Sequence, residues 1–263
     1  MYKIAAFDVD GTLLNSKSEI SQENIDAIIA TKERGVKVIL ATGKHFLSIL
    51  SLIELLELKE PQVTCNGALT YCPVKKEVID SISLKQDVYE KIISDLESAN
   101  LPTVVYTAQG FFTTSSPEEV EPITNVGETS IEYIEDYYKL KNVAKILYVV
   151  PQGENDTLDQ KIRDMANEDV SVVRTHHMFL EFVATAGNKS VAIKRLADKY
   201  NVNTQEIVAF GDSENDIEML KMAGLGVCMD NGSDVAKASS DVIVSNNDQH
   251  GVKEGLEKYV LCK

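Results

Sequence analysis

The apolar run Ile4-Ala5-Ala6-Phe7 breaks into Asp8-Val9-Asp10-Gly11-Thr12-Leu13, and no other stretch constrains the fold as strongly. A short apolar run bounded by a turn signal reads as a buried strand, so two carboxylates sit where a strand gives way to a loop. In open α/β sheets ligands bind beyond the carboxyl ends of the strands, which makes this a position for chemistry. Asp and Gly are also ordinary turn residues, and a solvated turn needs nothing more. The rest of the chain decides between the two.

The same rhythm recurs. Ser21 can cap a helix running to about Arg34, with Ile25, Ile28 and Ile29 on one face and Gly35 as its stop. Val36 to Ala41 is a second buried strand and ends in Thr42-Gly43-Lys44; a helix from about Phe46 to Leu58 follows, closed by Pro61. Gln62 to Cys65 makes a third strand, ending in Asn66-Gly67. Alternation at this spacing argues for right-handed βαβ units on a parallel sheet. Ala68 to Ser83 reads instead as a hairpin around Pro73 and Lys75-Lys76.

From Leu84 to Ala186 the pattern changes. A helix near Val88 to Ser98 precedes strands at Thr103 to Tyr106 and Phe111 to Thr114. An acidic piece, Glu118 to Asp136, comes next, with Pro117 to Glu121 read as a solvated loop. Strand Ala144 to Val150, helix Thr157 to Asn167 and strands near Val170 to Arg174 and Met178 to Val183 complete an α+β insert. The βα rhythm then returns: helix to about Tyr200, strand Ile207 to Phe210 ending in Gly211-Asp212, helix Glu214 to Met222, and strand Leu225 to Met229 ending in Asp230-Asn231-Gly232. The expected fold class is α/β, a Rossmann-like parallel sheet with helices on both faces, interrupted by an α+β unit. The expected divisions are 1–83 for the first part of the core, 84–186 for the insert and 187–263 for the second part.

Charge narrows the partners. The 263 residues carry a formal net charge of -15, which argues against nucleic acid or an anionic membrane surface as the main partner. Handling an anionic substrate would therefore require a local cation. Cys65, Cys72, Cys228 and Cys262 are scattered, with neither a CxxC pair nor a His at ligand spacing, so reduced thiols are expected rather than disulfides or zinc. Lys3 leads straight into a strand, unlike a signal peptide, and no apolar run approaches the roughly 18 residues of a membrane span. A soluble, cytoplasmic protein is expected.

The strand ends converge. Asp8 and Asp10 end the first strand, Thr42 the second, Asn66 the third, Asp212 the fourth and Asp230 the fifth. In a parallel sheet all of these lie along one rim. Helix capping accounts for Thr42, Asn66 and Asp230 without chemistry, but accounts for Asp8 much less well. Acidic side chains gathered on one rim repel one another unless a cation sits among them, and hard oxygen ligands select Mg²⁺ over zinc. Asp8 and Asp10, at i and i+2, would address one reacting centre. One carboxylate can attack phosphorus while the other acts as general acid and base, and Lys189 at a helix start can neutralise the transferring phosphoryl group.

These residues resemble the haloacid dehalogenase superfamily, whose phosphotransferases carry a DxDGT loop, a Thr or Ser, a Lys and a late GDxxxD motif. Here they stand, in that order, as Asp8-Val9-Asp10-Gly11-Thr12, Thr42, Lys189 and Gly211-Asp212-Ser213-Glu214-Asn215-Asp216. The place and size of the insert are similar to Cof-type members with a C2B cap. The resemblance implies that Asp8 is the nucleophile and Asp10 the acid/base. It implies Mg²⁺ held by Asp8, the backbone carbonyl of Asp10, and Asp212, with Asp216 supporting the metal site or Lys189. Thr42, Gly43, Lys44, Lys189 and Asn215 would lie around the phosphate. Members of this branch more often have ATGR where Ala41-Thr42-Gly43-Lys44 stands, and a lysine lacks the bidentate fork of arginine. In the insert, Arg174, His176 and His177 are the residues expected to meet the leaving group.

The function these features favour is a Mg²⁺-dependent phosphatase acting on a small phosphorylated metabolite, a sugar phosphate or similar. A phosphomutase would share the nucleophile. A phospho-receiver module uses a similar acidic cluster, but it is shorter and places its Asp after a later strand; a metal-dependent glycosyltransferase would lack the ordered Thr, Lys and GDxxxD set.

Overall fold

Strand β1 (Ile4–Phe7) is buried on both faces and divides its residues between two cores. The structure is a computed structural model and describes residues 1–128, 130–150, 160, 162–176 and 178–262, with the backbone alone at 175 and 176. The first sheet contains β1, β2 (Lys37–Leu40), β12 (Ile207–Gly211), β13 (Leu225–Met229) and β14 (Val242–Val244), numbered in chain order. Its order is β14-β13-β12-β1-β2 with every pairing parallel, as the alternation of strand and helix requires. Ala5, Phe7, Val38, Leu40, Val208 and Phe210 pack against the helices Gln22–Glu33 and Gly251–Leu256. Ile4, Ala6, Ile39 and Ala209 face the other way, onto the helices Lys189–Lys199 and Ile217–Met222. Helices therefore cover both faces, and the central strands β1 and β12 are apolar throughout because neither of their faces meets water.

Strand β3 (Gln62–Thr64) joins β2 only through the parallel bridge Ala41–Val63. It then pairs antiparallel with β4 (Leu69–Cys72), which pairs with β5 (Glu77–Ser81) to form the expected hairpin. Between β3 and β4, Cys65, Asn66 and Gly67 take φ values of 50°, 56° and 100° in succession. A Cβ at Gly67 would lie 2.3 Å from the Asn188 carbonyl, so glycine lets this turn lie directly against the start of the helix Lys189–Lys199.

The insert is a six-stranded sheet. Its strands are β6 (Thr103–Thr107), β7 (Gly110–Thr113), β8 (Ile131–Tyr133), β9 (Lys145–Val149), β10 (Val170–His176) and β11 (Phe179–Ala184). They run in the order β10-β11-β9-β6-β7-β8, antiparallel except for β7 with β8. The helix Gln86–Ser98 covers one face through Tyr89, Ile92, Ile93 and Leu96. The opposite face carries Val104, Tyr106, Leu147 and Phe179 and meets Cys65, Ala68 and Leu69 of the first unit.

Pro117 to Glu121, expected as a solvated loop, is instead the start of the helix Pro117–Asn125. Ser116 and Glu119 form a reciprocal capping box and Pro117 takes the first turn, where its missing N–H costs nothing. Val120 and Ile123 bury one side, so the charges that suggested a loop belong to the other. Of the helix expected at 157–167, residues 157–159 and 161 lie outside the described residues; 160, 162 and 163 are helical, and the helix has given way to a turn by 164. All four cysteines are free, and among the described residues no helix is long and apolar enough to cross a membrane.

Candidate active site

Register brings the acidic strand ends together. Phe7 pairs with Phe210 on one side and Leu40 on the other, so Asp8, Gly211-Asp212 and Ala41-Thr42 leave the sheet at one level, one strand spacing apart. The Phe7 and Phe210 rings stack with centroids 4.9 Å apart beneath them. Gly11, at φ 81°, turns the loop back over Asp212; a Cβ there would stand 2.6 Å from Asp212 Oδ2. Thr12 Oγ1 donates to Asp212 Oδ1 at 2.8 Å.

Lys189 begins its helix because Asn188 caps it, accepting from the Val191 N–H. Its buried ammonium donates to Asp8 Oδ1 at 2.6 Å and Asp216 Oδ1 at 2.7 Å. Burial pulls the Lys189 pKa down, but Asp216 and Asp8 outweigh it and the ammonium is held above its usual range. Asp8 moves well above the ordinary carboxylate range, because burial and the charges of Asp216 and Asp212 outweigh the attraction of Lys189. Asp212 is pushed up to about 6 by burial and by Asp216, against the opposing Thr12 hydroxyl and Lys189. Three carboxylates around one ammonium thus leave uncompensated negative charge.

Oxygens of Asp8, Asp212 and Asp216 all lie within 4.8 Å of one another. An all-oxygen donor set with excess negative charge fits a hard divalent cation. Asp216 stands behind the other two, since its Oδ1 takes Lys189 and its Oδ2 accepts the N–H groups of Asp212 and Ser213 at 3.0 Å each. The Asp10 carboxylate is not in this cluster. Its side chain is 51% exposed, pairs with Lys44 Nζ at 3.2 Å, and opens into the cavity that Asp8 also lines. Asp230 leaves the rim altogether: its side chain is 66% exposed and pairs with Lys237 at 3.6 Å. Its neighbour Asn231 is the residue that reaches back, donating to the Gly11 carbonyl at 2.7 Å.

The cavity has a volume of about 130 Å³. Thr42, Gly43 and Lys44 line it below; Thr42 Oγ1 accepts from the Lys44 N–H at 3.0 Å, leaving the hydroxyl proton to donate. A haloacid dehalogenase-like hydrolase family model matches residues 5–256. The chain belongs to the haloacid dehalogenase-like hydrolases. Phosphatase YwpJ of Bacillus subtilis (strain 168) is 30% identical over 291 residues, covering 98% of this chain and 100% of that protein. The chloroplastic endoribonuclease YBEY of Arabidopsis thaliana is 33% identical over 269 residues, which are 97% of this chain and 46% of that protein. The chain therefore spans less than half of the latter's length. A solved haloacid dehalogenase-like hydrolase from B. subtilis superposes with a TM-score of 0.89 at 27% identity, covering 98% of this chain and 100% of the other. Like its phosphatase relatives, this family member is an enzyme of the phosphoric monoester hydrolase class.

The upper wall of this hydrolase's cavity differs from the sequence-based expectation. Arg174 lies on β10 and does not line the cavity; β10 is the edge of the inserted sheet, and the lining residues come from β9, β11 and the segment 123–128. Only the backbone of His176 is described, and His177 lies outside the described residues. Residues not singled out in the sequence take the wall instead: Lys145, Glu181 and Glu128, all buried. Lys145 and Glu181 each interrupt an apolar strand, and charged residues are almost never fully buried unless paired, so a lone charge in such a run is the signal that marks them. Lys44, expected as a phosphate clamp, also donates to the Val126 carbonyl of the insert. Both polar ends of the Asn215 amide are engaged, with Asn66 and Ser213.

His45 packs where the two units meet. Its Nε2 faces the Thr107 carbonyl at 2.9 Å and its Nδ1 the Leu47 N–H at 3.3 Å, a neutral tautomer fixed from both ends. Burial lowers its pKa to about 4. Between that value and the ordinary 6.5 the unfolded chain binds the extra proton, so this contribution to stability is present above pH 6.5 and lost as pH falls through 4. Urea midpoints measured from pH 7 to pH 4 are expected to decline by the equivalent of about 3 kcal/mol from this residue. His45→Gln is expected to flatten that limb; an unchanged slope would show that His45 is not its source.

Proposed function

We propose that this enzyme is a Mg²⁺-dependent phosphatase that removes the phosphoryl group of a small phosphorylated metabolite, a sugar phosphate or similar, through an aspartyl-phosphate on Asp8. The observation that carries this reading is the Asp8 carboxylate held on Lys189 at the floor of a cavity with Asp10 also in its lining. The segment 84–186 acts as the cap over that cavity. No nucleic acid or membrane partner enters the reading, and the compartment is the cytoplasm.

A bound Mg²⁺ would be held by Asp8, Asp212 and the Asp10 backbone carbonyl, and would supply positive charge to the phosphoryl oxygens. An Asp8 carboxylate oxygen attacks phosphorus as the bond to the leaving oxygen breaks, and Asp10 gives that oxygen its proton. Water then attacks phosphorus, Asp10 takes the water proton, and the bond to Asp8 breaks to release phosphate. Lys189 opposes protonation of Asp8 and orients it in both steps, while the Thr42 hydroxyl donates to a phosphoryl oxygen. The small cavity restricts the leaving group and the insert excludes bulk water.

Turnover of an aryl phosphate and a panel of sugar and polyol monophosphates with Mg²⁺ is the test. Phosphate release without any bisphosphate activator is expected, abolished by a chelator and restored by excess Mg²⁺. Hydrolysis that persists at full rate in chelator would overturn the metal assignment, and a strict bisphosphate requirement would make the enzyme a mutase.

A further inference from the structure

A continuous line of hydrogen bonds runs from the insert to the nucleophile. Lys145 Nζ on β9 donates to Glu181 Oε1 on β11 at 2.9 Å, and both side chains are at most 3% exposed. Each member of this buried pair also reaches across to the first unit. Lys145 donates to the Gly43 carbonyl at 2.8 Å, and Glu181 Oε2 accepts from Asn66 Nδ2 at 2.6 Å. The pair thus straddles the two turns that follow β2 and β3.

From Asn66 the line continues inward. Asn215 Nδ2 donates to Asn66 Oδ1 at 2.9 Å, and Ser213 Oγ donates to Asn215 Oδ1 at 2.6 Å. The Ser213 N–H donates to Asp216 Oδ2, and Asp216 Oδ1 holds Lys189 against Asp8. A carboxylate only accepts, so Glu181 obliges Asn66 to present its amide nitrogen. Asn66 must then accept from Asn215, and Asn215 must accept from the Ser213 hydroxyl. One charged end therefore sets the sense of every amide in the line. At the buried end, Glu181 and Asn66, a reversed or unmade link leaves an orphaned polar group, which favours one sense there and, through the partly buried Asn215 and Ser213, along the line.

We infer that Glu181 is a positioning residue for phosphoryl transfer: seated on the core, it fixes Asn66 and Asn215, and through Ser213 and Asp216 it holds Lys189 in place against Asp8. Lifting the insert would break the line at Asn66 and at Gly43 together, so the lysine is correctly placed only when the cavity is covered. This assignment rests on Asp8 as the nucleophile.

The test is a double-mutant cycle in the full chain with Glu181→Gln and Asn215→Ala, read as kcat on two substrates with different leaving groups, an aryl phosphate and acetyl phosphate. Glutamine keeps the shape of Glu181 but can present either a donor or an acceptor, so it removes the fixed polarity together with the charge that faces Lys145. Each single variant is expected to lower kcat about tenfold with KM nearly unchanged, by the same factor on both substrates. The double variant is expected to fall no further than the worse single one. Multiplying losses, a wild-type kcat in Glu181→Gln, or a loss that depends on the leaving group would each overturn the relay. Asn66→Asp, which sets two carboxylates face to face, supplies a second break in the line should Asn215→Ala fail to fold. Its loss is likewise expected not to compound with that of Glu181→Gln, and compounding would count against the relay. Asp8→Asn run alongside separates the two ideas: turnover surviving that change removes the nucleophile, whereas additivity in an Asp8-dependent enzyme removes only the relay.

Discussion

Asp8→Asn is expected to lower turnover of an aryl phosphate by a factor on the order of 10⁴ or more while the protein stays folded. An amide has nearly the volume of the carboxylate and still accepts from Lys189, but it cannot form the acyl phosphate. Stability should move little, because two effects oppose each other. The change removes an ion pair to Lys189 at 2.6 Å, yet Lys189 keeps Asp216 at 2.7 Å, and one of three clustered, mutually repelling carboxylates is gone. Kinetics together with thermal unfolding check this, and near wild-type turnover in a folded variant would defeat the nucleophile assignment. Asp10→Ala is the informative partner. Its carboxylate is half exposed and paired with Lys44 rather than with the cluster, so with an aryl phosphate, whose phenolate leaves without needing a proton, its loss should spare attack on phosphorus and slow the hydrolysis that follows. Acid-quenched samples are expected to hold more phosphoaspartate than wild type, and an equal or smaller amount would remove the acid/base role.

Lys189→Met is expected to be the most damaging change in the core. It removes the cation that Asp8 and Asp216, both buried, share among the described residues, and leaves their charge uncompensated. Removing one partner of a buried ion pair typically costs about 3 kcal/mol or more. Activity should fall with it, since Asp8 would be protonated and no longer held. The pH dependence follows from the upward shifts. A carboxyl whose folded pKa is raised destabilises the fold at pH values above that pKa, and the cost disappears as it protonates. Asp212 sits at about 6 with Lys189 present, and losing the lysine raises the cluster further. The deficit of the variant against wild type should therefore be largest above the further-raised pKa of the cluster and shrink on acidification toward pH 6. A divalent cation should raise the melting temperature of the variant more than that of wild type, by replacing the missing charge. A deficit independent of both pH and Mg²⁺ would mean that the lysine acts by packing alone.

The parallel sheet, the break in rhythm at the insert and the order of Asp8, Thr42, Lys189 and Asp212 were all legible in the chain, because each depends on local signals. Apolar runs, turn residues and caps act over a few positions, and parallel pairing then obliges the strand ends to share a rim. Local signals also misled. The acidic face of the helix Pro117–Asn125 masked its capping box, and Asp230 stood at a strand end like the others yet turned to Lys237 and solvent.

What the tertiary structure alone decided is which polar groups lose water and to whom they turn. Nothing near Lys145 or Glu181 in sequence names a partner. They meet because β9 and β11 are adjacent, and they reach Gly43 and Asn66 because the inserted sheet lies over those turns. Burial makes such pairings obligatory, since a charge taken out of water must find its complement, but the complement can come from any part of the chain. By itself, then, the sequence determined the acidic loop Asp8-Val9-Asp10-Gly11-Thr12 and its place on the rim of the sheet, while packing decided the wall above it, where Lys145 and Glu181 stand in place of Arg174.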